Sequence, residues 1–188
     1  MTRYAAFLRG INLGPVNKVA MPRLRAVAEG LGFTDVRTYI NSGNLLFSTD
    51  RTAPEVTEAL QQAILEEFGL RVDVAVRTEG QLRDLLAGNP FPDGDPSRVT
   101  VAFLVGQPVA DAAERVAALG GPSAPFVFSG SDVWVHYLHG QADSKLAAQF
   151  SKAVGVSATV RTVRTVAKVV ELFGPPGAEP GVGADPPG

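Results

Sequence analysis

The stretch "AFLVG" at residues 102–106 repeats, with one change, the "AFLRG" at residues 6–10. Each closes a short apolar run of strand length, Arg3–Arg9 in one case and Val99–Val105 in the other, and ends on a glycine that breaks the run. Two further echoes follow in the same order. "SGN" at 42–44 answers "SGS" at 129–131, and "VRT" at 76–78 answers "VRT" at 160–162. Three short matches in one order imply an internal duplication, so each half can be read against the other.

In the first half, strand Arg3–Arg9 precedes a helix over Pro22–Leu31 whose Leu24, Val27, Ala28 and Leu31 share a face. Strands Val36–Asn41 and Asn44–Ser48 follow, joined by a tight turn with Gly43 at positive φ. A second helix opens at Thr52 with a capping-box spacing to Glu55 and buries Val56, Leu60, Ile64 and Phe68. Strand Val72–Val76 and a helix burying Leu82, Leu85 and Leu86 complete an order βαββαβα. After "GNPFPDGDPS" at 88–97, which reads as a linker, the second half repeats it. Its elements are strand Val99–Val105, helix Val109–Leu119, strands Phe126–Phe128 and Asp132–Leu138, helix Asp143–Val154, strand Ala158–Val163 and helix Thr165–Phe173. The expected fold class is α+β: two tandem ferredoxin-like lobes, residues 1–90 and 91–173, related by internal duplication. Residues 174–188, "GPPGAEPGVGADPPG", contain five Pro and five Gly and are expected to form a disordered tail.

The duplication supplies an internal control. The strand echoes lie 96 residues apart and the hairpin echoes 87, so the first half is nine residues longer between strand and hairpin. The excess falls in Gly10–Met21, whereas the second half connects through little more than "GQP" at 106–108, within the usual span of a βα loop. In an antiparallel βαββ sheet the C-terminal end of the first strand and the β2–β3 hairpin lie at the same end of the sheet. The long loop should therefore stand beside "YINSGN" at 39–44, bringing together Arg9, Gly10, Asn12, Lys18, Tyr39, Asn41, Ser42, Gly43 and Asn44. The following helix aims its N-terminal N–H groups at the same place. Two cations, neutral donors and a helix N-terminus suit a phosphate or carboxylate.

Composition narrows the classes. The 188 residues are 45% apolar and 19% charged, enough to bury a sizeable core. The absence of cysteine removes disulfides, thiolate nucleophiles and thiolate metal sites, and fits a cytoplasmic protein. No apolar run approaches the length of a signal-peptide core or a membrane span, so no membrane association is expected. The net charge of −2 is uneven: residues 1–50 carry six basic and three acidic groups, residues 51–100 five basic and nine acidic. A whole-surface attraction for nucleic acid is thus unsupported, and an anion should meet the N-terminal loops.

"LRGINLG" with Lys18 and Met21 following, and then "YINSGN", resemble the two signature stretches of the bacterial family called domain of unknown function 1697. The resemblance extends over Met1 to about Phe173 and implies a two-lobed α+β protein with duplicated ferredoxin-like lobes; it implies no activity, cofactor or substrate. Two departures stand out. Pro15 follows Gly14 where the family tends to have a second glycine, and residues 161–166 read Arg-Thr-Val-Arg-Thr-Val where it tends to show Arg-Asn-Trp-Asn-Thr-Val. Ser144, Lys145 and Arg161 match the family, which makes Lys145 and Arg161 second-lobe candidates.

Several familiar chemistries do not fit. The loop is no P-loop, because Asn17 and Val19 flank Lys18, and Gly10 and Gly14 do not make a dinucleotide fingerprint. His136 and His139 face opposite sides of a strand unless it ends between them, and no nearby Asp or Glu completes a ligand set, so no metal and no cofactor are expected. "NLLFST" lacks the aromatic-rich strand on which RNA bases stack. Three functions stay in play. The first is binding of a small anionic ligand, a nucleotide or a nucleic-acid phosphate through Arg9, Lys18 and the surrounding amides and hydroxyls. The second is an enzyme in which Ser42 or Tyr39 takes part in transfer, although no histidine or carboxylate pair stands near as base. The third is a scaffold that presents a protein interface.

Overall fold

Strand β1 (Thr2–Leu8) is buried from Tyr4 to Leu8, and strand β3 (Asn44–Thr49) is buried at every position. Because successive side chains of a strand point to opposite faces, both faces of this sheet are covered. The structure, a computed structural model, describes residues 1–175, so the tail expected from Gly174 lies, beyond Pro175, outside the described residues. The remaining elements are α1 (Met21–Gly30), β2 (Thr34–Tyr39), α2 (Ala53–Phe68), β4 (Val74–Thr78), α3 (Glu79–Ala87), β5 (Val99–Val105), α4 (Ala112–Gly120), β6 (Phe126–Ser129), β7 (Asp132–His136), α5 (Lys145–Val154), β8 (Ser157–Thr162) and α6 (Val163–Phe173). The protein is α+β, with two four-stranded sheets of order β2-β3-β1-β4 and β6-β7-β5-β8. No helix among the described residues is long and apolar enough to cross a membrane.

The chain divides into two compact units, and neither is one continuous length. Among the described residues, the first holds 1–72, 76–79 and 169–175; the second holds 73–75 and 80–168. In the first unit β1 pairs antiparallel with β3, Phe7 opposite Asn44, and β3 pairs with β2. On one face, Phe33 stacks on Phe47 at 4.5 Å and Arg25 of α1 reaches Thr38 at 2.9 Å, which sets α1 over that face. On the other, Arg3 and Arg37 donate to the carbonyls of Phe173 (2.7 Å) and Leu172 (3.0 Å). The last four carbonyls of a helix lack intrahelical partners and carry partial negative charge, and two guanidiniums satisfy two of them here. Arg3 is also paired with Glu79 at 2.6 Å. Helix α2 starts as expected, with the Thr52 N–H and hydroxyl both donating to Glu55 Oε2 at 2.7 Å, and it ends on Gly69 at φ 66°.

In the second unit Ala102, Leu104, Val133, Val135 and Tyr137 pack against Val116 of α4 and Leu146, Phe150 and Val154 of α5. Two connections differ from expectation. The β2–β3 turn spans Ile40–Gly43 rather than two residues, because β2 stops at Tyr39. The β5–α4 connection spans 106–111 rather than 106–108. Val109 is apolar without being helical: its N–H bonds the Val154 carbonyl at 3.0 Å, and a Cβ on Gly155 would collide with it. The residues 88–98 form a chain of turns, Gly94 N–H to Phe91 O at 3.1 Å and Ser97 N–H to Asp95 Oδ1 at 2.8 Å among them.

Candidate functional site

The connection between β1 and α1 runs over residues 9–20, twice the length of that at 106–111. Its path is set by left-handed residues, Gly10 (φ 68°), Asn12 (54°), Gly14 (62°) and Asn17 (50°), which glycine tolerates freely and asparagine better than most. Ile11 and Val19 are 2% exposed and anchor it in the core. Asn12 does the rest. Its Nδ2 donates to the carbonyls of Val19 (2.9 Å) and Asn41 (2.8 Å), and its Oδ1 accepts from the Val19 N–H (2.9 Å). The Asn12 N–H reaches Asn17 O at 2.9 Å, closing a tip of Leu13–Val16, and Asn17 Nδ2 reaches Gly10 O at 3.1 Å.

The hairpin is held to the same place. Leu8 N–H donates to Gly43 O at 2.9 Å, and buried Asn44 donates to Tyr39 O (2.9 Å) and Ser42 Oγ (3.1 Å). Gly43, at φ 80°, lies so close that a Cβ would sit 2.7 Å from Ile11 Cδ1 and 2.8 Å from Leu8 Cβ. Loop and hairpin thus meet, but their asparagines spend their amides on the meeting: Asn12 and Asn44 shape the site. Arg9 and Lys18 are exposed. Helix α1 begins behind Ala20 with no side-chain cap and no acidic residue in its first turn; Pro22 has no N–H, leaving those of Met21 and Arg23.

An apolar surface appears that the reading of single residues missed. Leu13, Val16 and Ile40 are 67%, 59% and 50% exposed, and the Asn12 bonds to Asn17 and Asn41 draw their backbones together. Apolar residues inside a polar, glycine-broken loop were the available signal. Ile40 also takes φ 49°, a costly conformation for a β-branched residue.

The second-unit candidates are dispersed. Lys145 opens α5 at the wall of a cavity, while Arg161 lies on β8 opposite Val101 and is absent from that lining. Burial pushes the Arg161 guanidinium down to about 10, so it is charged at neutral pH. Strand β7 does end between His136 and His139, yet His136 packs against Phe91, with ring centroids 5.6 Å apart. Among the described residues no three His, Asp or Glu side chains are grouped as a metal requires. Trp134 is 1% exposed and packs in the core.

The family model described as "Protein of unknown function (DUF1697)" matches residues 1–134. The chain belongs to this family. The DUF1697 match takes in every loop and hairpin residue named above and stops before Lys145 and Arg161. A solved structure, that of conserved bacterial protein SP0830 from Streptococcus pneumoniae, is similar at 23% identity with a TM-score of 0.73, covering 92% of this chain and 98% of that one. At that identity the likeness shows the fold alone. No curated protein matches.

Proposed function

We propose that this DUF1697 protein is a cytoplasmic binding protein that takes an anionic ligand, a nucleotide, phosphometabolite or nucleic-acid phosphate, on the β1–α1 loop and β2–β3 hairpin. The observation that carries the reading is the Asn12 staple, which fixes a loop longer than its counterpart against the hairpin while Arg9 and Lys18 stay exposed. The uncapped start of α1 adds oriented N–H groups and the positive end of a helix dipole. A contribution of Ser42 to catalysis is less favoured, since its hydroxyl already receives the Asn44 amide.

The same reading takes residues 1–90 and 91–173 as ferredoxin-like lobes related by duplication. Matched bonds support it: Leu8 N–H to Gly43 O (2.9 Å) beside Leu104 N–H to Ser131 O (3.1 Å), and Arg77 Nη1 to Val76 O (2.8 Å) beside Arg161 Nη1 to Val160 O (2.9 Å). Buried Asn44 and Asp132 open β3 and β7, opposite Phe7 and Phe103.

The exposed Leu13, Val16 and Ile40 favour a second reading, a protein interface at the same tip. A thermal-shift panel of nucleotides and phosphometabolites separates the two, because a ligand at 100 times its dissociation constant adds about 2.7 kcal/mol. Lys18→Ala should weaken a hit about ten- to a hundredfold, the scale of one charge-assisted contact. A panel without hits, or a hit indifferent to Lys18, overturns the anion reading and leaves the interface.

A further inference from the structure

In the second unit, the start of α5 borders a cavity of about 360 Å³ whose wall includes Leu119, Tyr137, Asp143, Ser144 and Lys145. That volume lies within the range of small-ligand sites, roughly 300 to 1,000 Å³. Ser144 is the N-cap; its hydroxyl accepts the Ala147 N–H at 3.2 Å, leaving those of Lys145 and Leu146 at the helix end. The first turn contains no acidic residue. An independent observation comes from the sheet. Tyr137 is 2% exposed, belongs to the core cluster and lines this cavity, and its hydroxyl has no protein hydrogen-bond partner among the described residues. A hydroxyl on a side chain this buried is normally paired, and one left open to a cavity rather than sealed in the core marks a place for a ligand oxygen.

We infer that this cavity binds a small polar metabolite carrying a phosphate or carboxylate group, held by Lys145, the first N–H groups of α5 and the Tyr137 hydroxyl. Asp143, at the opposite sign, would accept from a hydroxyl or amino group elsewhere on the same molecule. Burial pushes the Tyr137 phenol up to about 12, so it stays protonated and able to donate to an anion. The site does not depend on the loop reading: its residues lie in 119–145, and a ligand could occupy either place without the other.

The test uses the full chain labelled with nitrogen-15, titrated with sodium phosphate or sodium acetate at constant ionic strength, with chloride as control. Phosphate, acetate or both should move the amide signals of Lys145, Leu146 and Ala147 saturably, and the stronger of the two names the ligand's anionic group. Lys145→Ala should weaken that binding about ten- to a hundredfold, and Tyr137→Phe, which keeps the ring, about two- to tenfold. The rest of each spectrum should stay as in the parent. Chloride-like linear drift at these amides, or equal affinity in both variants, overturns the inference. So does a saturable shift confined to Met21 and Arg23, which would instead support the loop site.

Discussion

Asn12 and Asn41 meet through a single hydrogen bond, side-chain Nδ2 to main-chain oxygen at 2.8 Å, which ties a loop to a hairpin 29 residues away. Asn12→Ala removes that bond and both Val19 bonds, and puts an alanine at φ 54°. Unsatisfied main-chain groups cost about 1 to 3 kcal/mol, so a loss of about 2 to 3 kcal/mol is expected, read as a fall in melting temperature of roughly 5 to 10 °C. A Tm unchanged from the parent would show that the loop holds itself.

Two glycines with nearly the same φ should behave differently. Gly43→Ala must push aside Ile11 and Leu8, whereas Gly10→Ala, at φ 68°, meets nothing within 4 Å. Left-handed strain alone costs about 1 kcal/mol, and overpacking adds about 1 to 3 kcal/mol more. Urea unfolding should therefore rank Gly43→Ala clearly below Gly10→Ala, with the reverse order refuting the close approach.

Alkaline stability should depend on Tyr137. Burial pushes its phenol up from the ordinary value of 10.0 to about 12. A raised pKa means stability that is whole below pH 10 and lost as pH climbs toward 12, because unfolding frees the phenol to ionise. Tyr137→Phe should unfold less steeply than the parent over that window and match it near pH 7, where its hydroxyl has no partner to lose.

Acid acts through Glu55, held below the usual carboxylate range first by the Thr52 hydroxyl and next by the Thr52 N–H. A lowered pKa contributes stability above the unfolded value that disappears as pH falls through the folded one. The gap between parent and Glu55→Gln should be present at pH 7 and close below about pH 4. A constant gap across that range would assign the effect to packing instead.

How much of this was readable in the residues depends on range. Thr52 and Glu55, three apart, announced their own contact, and the apolar spacing of Val56, Leu60 and Ile64 located the buried face of α2. Element ends slipped by one to three residues because caps, not periodicity, decide them: the fifth helix starts after Ser144, whose hydroxyl caps it, rather than at Asp143. Val109 continued an apolar pattern that the helix did not. Juxtaposition of loop and hairpin followed from topology, but which asparagines would bind a ligand and which would bind the backbone did not, since Asn12 and Asn44 offer the same amide to either. Arg3 and Arg37 gave no sign of a partner, because the carbonyls they meet are 170 and 135 residues distant.

Those two arginines also set a schedule. The first sheet is built from residues 2–78, yet the carbonyls that occupy Arg3 and Arg37 belong to Phe173 and Leu172. On the ribosome, the N-terminal strands emerge with one face bare and wait through the synthesis of nearly a hundred further residues before the segment that closes it arrives.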